Sequence, residues 1–161
     1  MADRVSAHIM IGGQLPETDL PSLIRAIEAD GPAIDWDGTS FTRANICGTE
    51  PLALMDHEVA WGRFAAIEDC CERLGLSYVR WAGSYSGSFP ATRVLYSGSG
   101  ERETFLTTED DTQVFAIEHI CELGSIAAIE AEYERARRNP PPLVIVQTDS
   151  AGDVCEEVGH D

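Results

Sequence analysis

Between Arg4 and Gly12 (RVSAHIMIG) the chain places Val5, Ala7, Ile9 and Ile11 at alternate positions. That alternation predicts a strand with one apolar face, and it puts His8 on the opposite face. Gly12 and Gly13 are expected to end it. The period then changes. Leu20, Leu23, Ile24 and Ile27 recur at spacings of three and four, which places them on one face of a helix. Thr18-Asp19-Leu20-Pro21 offers a polar cap and an early proline, and Gly31-Pro32 stops the helix. A chain that changes period this early is neither all-helical nor all-β. It must pack helices on a sheet.

The remaining sequence extends that pattern. Ala33 to Trp36 reads as a short strand, and Gly38 to Pro51 as an irregular connection. Ala60, Phe64, Ile67, Cys71 and Leu74 form a helical stripe ending at Gly75, so a helix is expected from Asp56 to Leu74. Leu76 to Ala82 is a strand, and Gly83 to Ser88 a flexible loop. Ala91 to Tyr96 and Glu103 to Thr108 form a hairpin across Ser97-Gly98-Ser99-Gly100. Asp111 or Thr112 caps a helix that buries Val114, Ile117 and Cys121. Ser125 caps another, with Ile126, Ile129 and Tyr133 inward. Asn139 and Pro140 to Pro142 end it, and Leu143 to Val146 reads as a buried strand.

The expected fold is α+β, one domain over residues 1–148. It has a mixed, mostly antiparallel sheet of about five or six strands, with helices on one face. The helices are expected at 19–30, 56–74, 112–123 and 125–138. Ferredoxin-like wiring is one way to connect them. Residues 149–161 read as an acidic, disordered tail.

Charge bounds the partners. The chain has no lysine, and its 11 arginines face 28 Asp and Glu, for a formal net charge of -17. Such a surface repels nucleic-acid phosphates and anionic membranes, and it favours cations and basic proteins. The missing lysine fits either a GC-rich coding bias or adaptation to salt. The first residues lack the apolar run of a leader, and no stretch is long enough to span a membrane. A cytoplasmic location is expected. Cys47, Cys70, Cys71, Cys121 and Cys155 are odd in number, follow no disulfide framework and lack zinc spacing.

Asp35, Asp37 and His57 are the candidate site. Asp35 and Asp37 flank Trp36 on one face of a strand end, and Asp56-His57-Glu58 opens a helix. If the long connection folds back, His57 comes beside both acids and can act as an acid, a base or a ligand. Tyr85 could join them. Solvated strand-end acids and a helix cap account for the same residues. Other motifs are weaker. Gly12-Gly13 lacks the spacing of a phosphate loop, and Gly83-Ser84-Tyr85-Ser86-Gly87 has Tyr85 where a nucleophile elbow needs Ser. His119 and Cys121 lie two apart on a helix, so they do not face one ligand. The acids and arginines of Glu130 to Arg138 read as a solvated helix face.

The balance favours a protein- or ligand-binding module over a catalyst. The alternatives are a small enzyme built on the acid–histidine site and an acidic nucleic-acid mimic that occupies a basic protein. No cofactor or metal is expected, and a basic partner or self-association remains open.

Overall fold

The computed structural model describes residues 2–148. The expected tail at 149–161 lies outside them. Helices and a six-stranded, mostly antiparallel sheet give the α+β fold.

The opening alternation becomes β1 (Arg4–Pro16), with Val5, Ala7, Ile9 and Ile11 all buried. The strand does not stop at Gly12-Gly13; it runs on to Pro16. β1 is the organising strand. β2 (Leu52–Ala60) and β3 (Ser77–Ala82) pair antiparallel with its first part, and β6 (Leu143–Val146) pairs parallel with its second. β4 (Thr92–Tyr96) and β5 (Glu103–Leu106) form the expected hairpin and extend the order to β2-β1-β3-β4-β5. In β6 only Leu143 is buried, so the apolar run is an edge element rather than a buried strand.

Helix α1 (Leu20–Asp30) forms as its stripe predicts, burying Leu20, Leu23, Ala26 and Ile27, and Gly31 closes it in the left-handed conformation. It packs against α2 (Ala65–Leu74), which buries Ile67, Cys70 and Cys71. The Asp30 carboxylate accepts the Ile67 amide at 2.9 Å, so the end of one helix caps the start of the other.

Several expectations fail for local reasons. The helix expected at 56–74 is two elements, because Trp61 (φ 56°) and Gly62 (φ 64°) turn the chain between β2 and α2. Asp56, His57 and Glu58 therefore lie in a strand, not at a helix start. Ala33–Trp36 is not a strand. Ala33 makes isolated bridges to Ser40 and Met55, and Asp35 to Asp37 form a turn. The third helix, α3 (Ile117–Leu123), starts late because Asp111 is left-handed (φ 56°) and Gln113 bridges to Thr107. Val114, Ile117 and Cys121 are exposed, as is Ile126 of α4 (Ile126–Ala136).

Ser125 does cap α4, accepting the Ala128 amide at 3.1 Å. Yet α4 does not join α1 and α2. It lies on the opposite face of the sheet, where Arg93 of β4 donates to the Ala136 carbonyl and Arg135 stands over the Phe105 ring. The helices thus cover both faces. The element order also departs from the β-α-β-β-α-β of ferredoxin-like wiring. Nor is α4 a purely solvated charged face. Glu132 is buried and receives His119 Nε2 at 2.8 Å.

That pair has a pH consequence. The Glu132 hydrogen bond raises the His119 pKa above its ordinary value. Its stabilisation is full below about pH 6.5 and fades as pH rises through the raised value. Urea melts across pH should show wild type more stable than His119→Gln in mild acid, with the gap closing as pH rises. A gap that widens with pH would refute this.

Candidate functional site

The outer face of β1 carries His8. Trp81 of β3 stands opposite it in register, and their rings stack with centroids 5.5 Å apart. Trp81 commits its indole N–H inward, to Thr107 Oγ1 at 3.2 Å and the Thr108 carbonyl at 3.3 Å. Burial pushes the His8 pKa below its ordinary value, against the pull of Asp111. His8 Nε2 lies 3.8 Å from the Asp111 carboxylate, which Arg93 holds at 2.5 Å from behind. Burial also raises the Asp111 carboxyl, while Arg93 and His8 oppose the shift. The left-handed backbone of Asp111 is a strained conformation for a residue other than glycine.

The opposite wall comes from β2 and the long connection. Register shifts between Val5 and Ala7, so that His57 and Glu58 bulge against Ser6. Within the connection, Asp35 accepts the Asp37 amide at 3.1 Å and the Thr39 amide at 2.9 Å. Such a side-chain bond to the following backbone builds a turn in place of a strand. The Thr39 hydrogen bonds hold the Asp35 carboxyl below its usual range. At the tip of that turn Trp36 stays 42% exposed. It is nevertheless held: His57 Nε2 donates to its carbonyl at 3.0 Å, and the rings lie 4.8 Å apart.

Together these elements border a cavity of about 350 Å³ that opens widely to solvent, lined by Ser6, His8, Trp36, His57, Trp81 and the acids Glu109 to Asp111. Of the sequence candidates, His57 lines it. Asp35 and Asp37 do not, and no hydrogen bond joins either to His57 among the described residues. Tyr85 is elsewhere, in a turn facing Phe89. Sequence reading missed His8, Trp81 and the acids. Their convergence depends on strand register and on the turn after β5. The available signals were a histidine between Ala7 and Ile9 on the mixed face of the first strand and the local acidic run Glu109-Asp110-Asp111.

Two other groupings are weaker candidates. A cavity of about 440 Å³ below Pro140-Pro141 is lined by Arg135 and Glu103, which neutralise each other at 3.0 Å. On the face of the sheet covered by α1 and α2, buried Glu68 meets Arg80 at 2.6 Å, Arg63 at 3.4 Å and Arg102 at 3.9 Å. That group is closed on itself. Cys47, Cys70, Cys71 and Cys121 are free thiols, with Cys71 pushed up by burial; Cys155 lies outside the described residues. Among the described residues no trio of His, Cys, Asp or Glu is arranged to hold a metal ion. No helix there is long and apolar enough to cross a membrane. Compared with known proteins, the chain matches no family model, no curated protein and no solved structure, so the reading of this site rests on its geometry.

Proposed function

We propose that the chain is a ligand-binding module and that the cavity between the outer face of β1–β3 and the Trp36 turn is its site. One observation carries this reading: separate segments bring Trp36, Trp81, His8, His57 and a run of acids to one concavity. Pockets of a few hundred Å³ that combine aromatic walls with a few convergent polar groups are the usual form of small-molecule sites. The setting of Trp36 supports it further. A large exposed ring gains nothing for the core, yet a turn and a histidine hold it in place. Asp35 and His57 act here as positioning residues for Trp36, and Asp37 stands exposed beside it.

The test uses the indole N–H signals of Trp36, Trp61 and Trp81 in a fragment screen followed by NMR. Trp61 is 58% exposed and does not line the cavity, so it is an internal control. Bound fragments should move Trp36 and Trp81 together and leave Trp61 in place. Trp36→Ala should weaken them about tenfold or more. Hits that move only Trp61, or that ignore Trp36→Ala, would remove the site. A fragment that is chemically converted, with conversion lost in His8→Gln, would turn the reading to acid–base catalysis.

A further inference from the structure

The geometry points to an organic cation, an alkylated ammonium group, as the ligand of this cavity, held against the Trp36 ring and balanced by the carboxylates of Glu109 and Asp110. The inference rests on the binding-site reading above and adds the ligand's charge and class.

The charges of the lining come first. No arginine lines the cavity, and the chain has no lysine. Arg93 reaches Asp111 from behind without joining the wall. Burial pushes the His8 pKa below its ordinary value, against the pull of Asp111. An anionic ligand would therefore meet carboxylates and no fixed positive charge.

The acids are not equivalent. Glu109 is occupied by the amide and the hydroxyl of Ser84. Asp111 is occupied by Arg93. Asp110 is exposed, and only its backbone amide is engaged, by Thr108 Oγ1. Among the described residues its carboxylate has no partner, and Glu109 meets only neutral donors, so the site presents two carboxylates that no cation compensates. That favours a positively charged ligand.

The rings select the kind of cation. Indole attracts cations more strongly than other aromatic side chains do. Trp36 offers the ligand an exposed ring, while Trp81, buried and stacked on His8 with its indole N–H turned inward, backs the wall and gives no polar handle. Alkylated ammonium groups suit such walls, because their charge is spread over methyl groups that need no hydrogen bonds. A metal ion would need converging ligands, and no such trio exists among the described residues.

The experiment is calorimetric titration with choline and with its uncharged carbon isostere, at about 0.15 M salt to screen the overall acidity. Choline should bind at least about tenfold more tightly than the isostere. Trp36→Ala should weaken choline about tenfold, and Asp110→Asn about fivefold, while isostere binding should ignore Asp110→Asn. Both substitutions are at exposed positions, and unchanged melting temperatures show that the variants fold. Equal binding of choline and isostere, both lost in Trp36→Ala, would overturn the cation while keeping the site. Choline binding that ignores Trp36→Ala would overturn both. No choline binding at millimolar concentration would overturn the cation, and the fragment screen would still decide the site.

Discussion

Glu68→Gln should lower the unfolding free energy by about 3–5 kcal/mol, the usual cost of removing one partner from a buried ion pair. Glu68 is fully buried on α2, and it is the acid on which Arg80, Arg63 and Arg102 converge. Burial pushes its carboxyl up, and the arginines pull it back. Arg80 is itself buried. Its Nη1 donates to the Gly62 carbonyl at 2.8 Å, so it cannot swing out to water without breaking the turn between β2 and α2. An amide in place of Glu68 leaves that guanidinium charged and uncompensated. Glu68 also accepts the Phe64 amide at 3.2 Å, and a glutamine carbonyl can keep that bond. The loss is therefore assigned to charge rather than to capping. Urea denaturation of Glu68→Gln, Arg80→Met and the double variant separates the contributions. The double variant should recover much of the loss, since neutral replacement of a whole buried pair is often tolerated. A loss below about 1 kcal/mol would mean that the pair behaves like an exposed one.

This network shows what was legible in the sequence and what was not. Glu68 sits among the apolar residues of α2, and Arg80 alternates with Tyr78 and Ala82 on β3. Each looks like an ordinary charged residue. Only the packing of α2 on that sheet face reveals them as partners. The elements read well wherever their signals were local. Leu20 to Ile27 with Gly31 marked the stripe and the end of α1, and Ser125 marked the start of α4, each within a residue or two. Reading failed where a side chain or a turn overrode the period. The stripe Ala60–Phe64–Ile67 runs across Trp61-Gly62, whose left-handed backbone no helix contains. Asp35 bonds to its following amides and bends Ala33–Trp36 out of a strand.

The site divides in the same way. His57 and the Asp35–Asp37 segment stood out as a long connection flanked by ionisable groups, and that segment does deliver Trp36 to the cavity. The other wall depends on His8 facing Trp81 across a strand pair, a contact between residues far apart in sequence. It also depends on the left-handed Asp111. Neither leaves a periodic trace. The apolar residues of α3 and α4 misled for a related reason. Ile117 and Ile126 have helical spacing but face outward, because α4 meets the sheet through Glu132, Arg135 and Ala136.

Gly12→Ala should be the other severe substitution, although glycine freedom is not the reason. A β-carbon at Gly12 would lie 1.8 Å from the Pro141 carbonyl oxygen and 2.9 Å from Pro140 Cβ. Pro140 to Pro142 cross β1 here, and the Pro142 carbonyl accepts the Gly13 amide at 3.1 Å. The clash is with backbone, so no rotamer change relieves it. The strap must lift, and β6, which continues from it along Gly13–Pro16, must lift with it. The cost should reach or exceed the upper end of the roughly 1–3 kcal/mol of ordinary overpacking. Its signature should be regional. Hydrogen exchange should quicken in β6 and at Gly13, where amides depend on the strap, while β3 and β4 keep their protection. Pro141→Ala should not rescue the variant, because it leaves the clashing carbonyl in place. A Gly12→Ala protein within about 0.5 kcal/mol of wild type, with β6 still protected, would show that the strap does not lie against β1 as described.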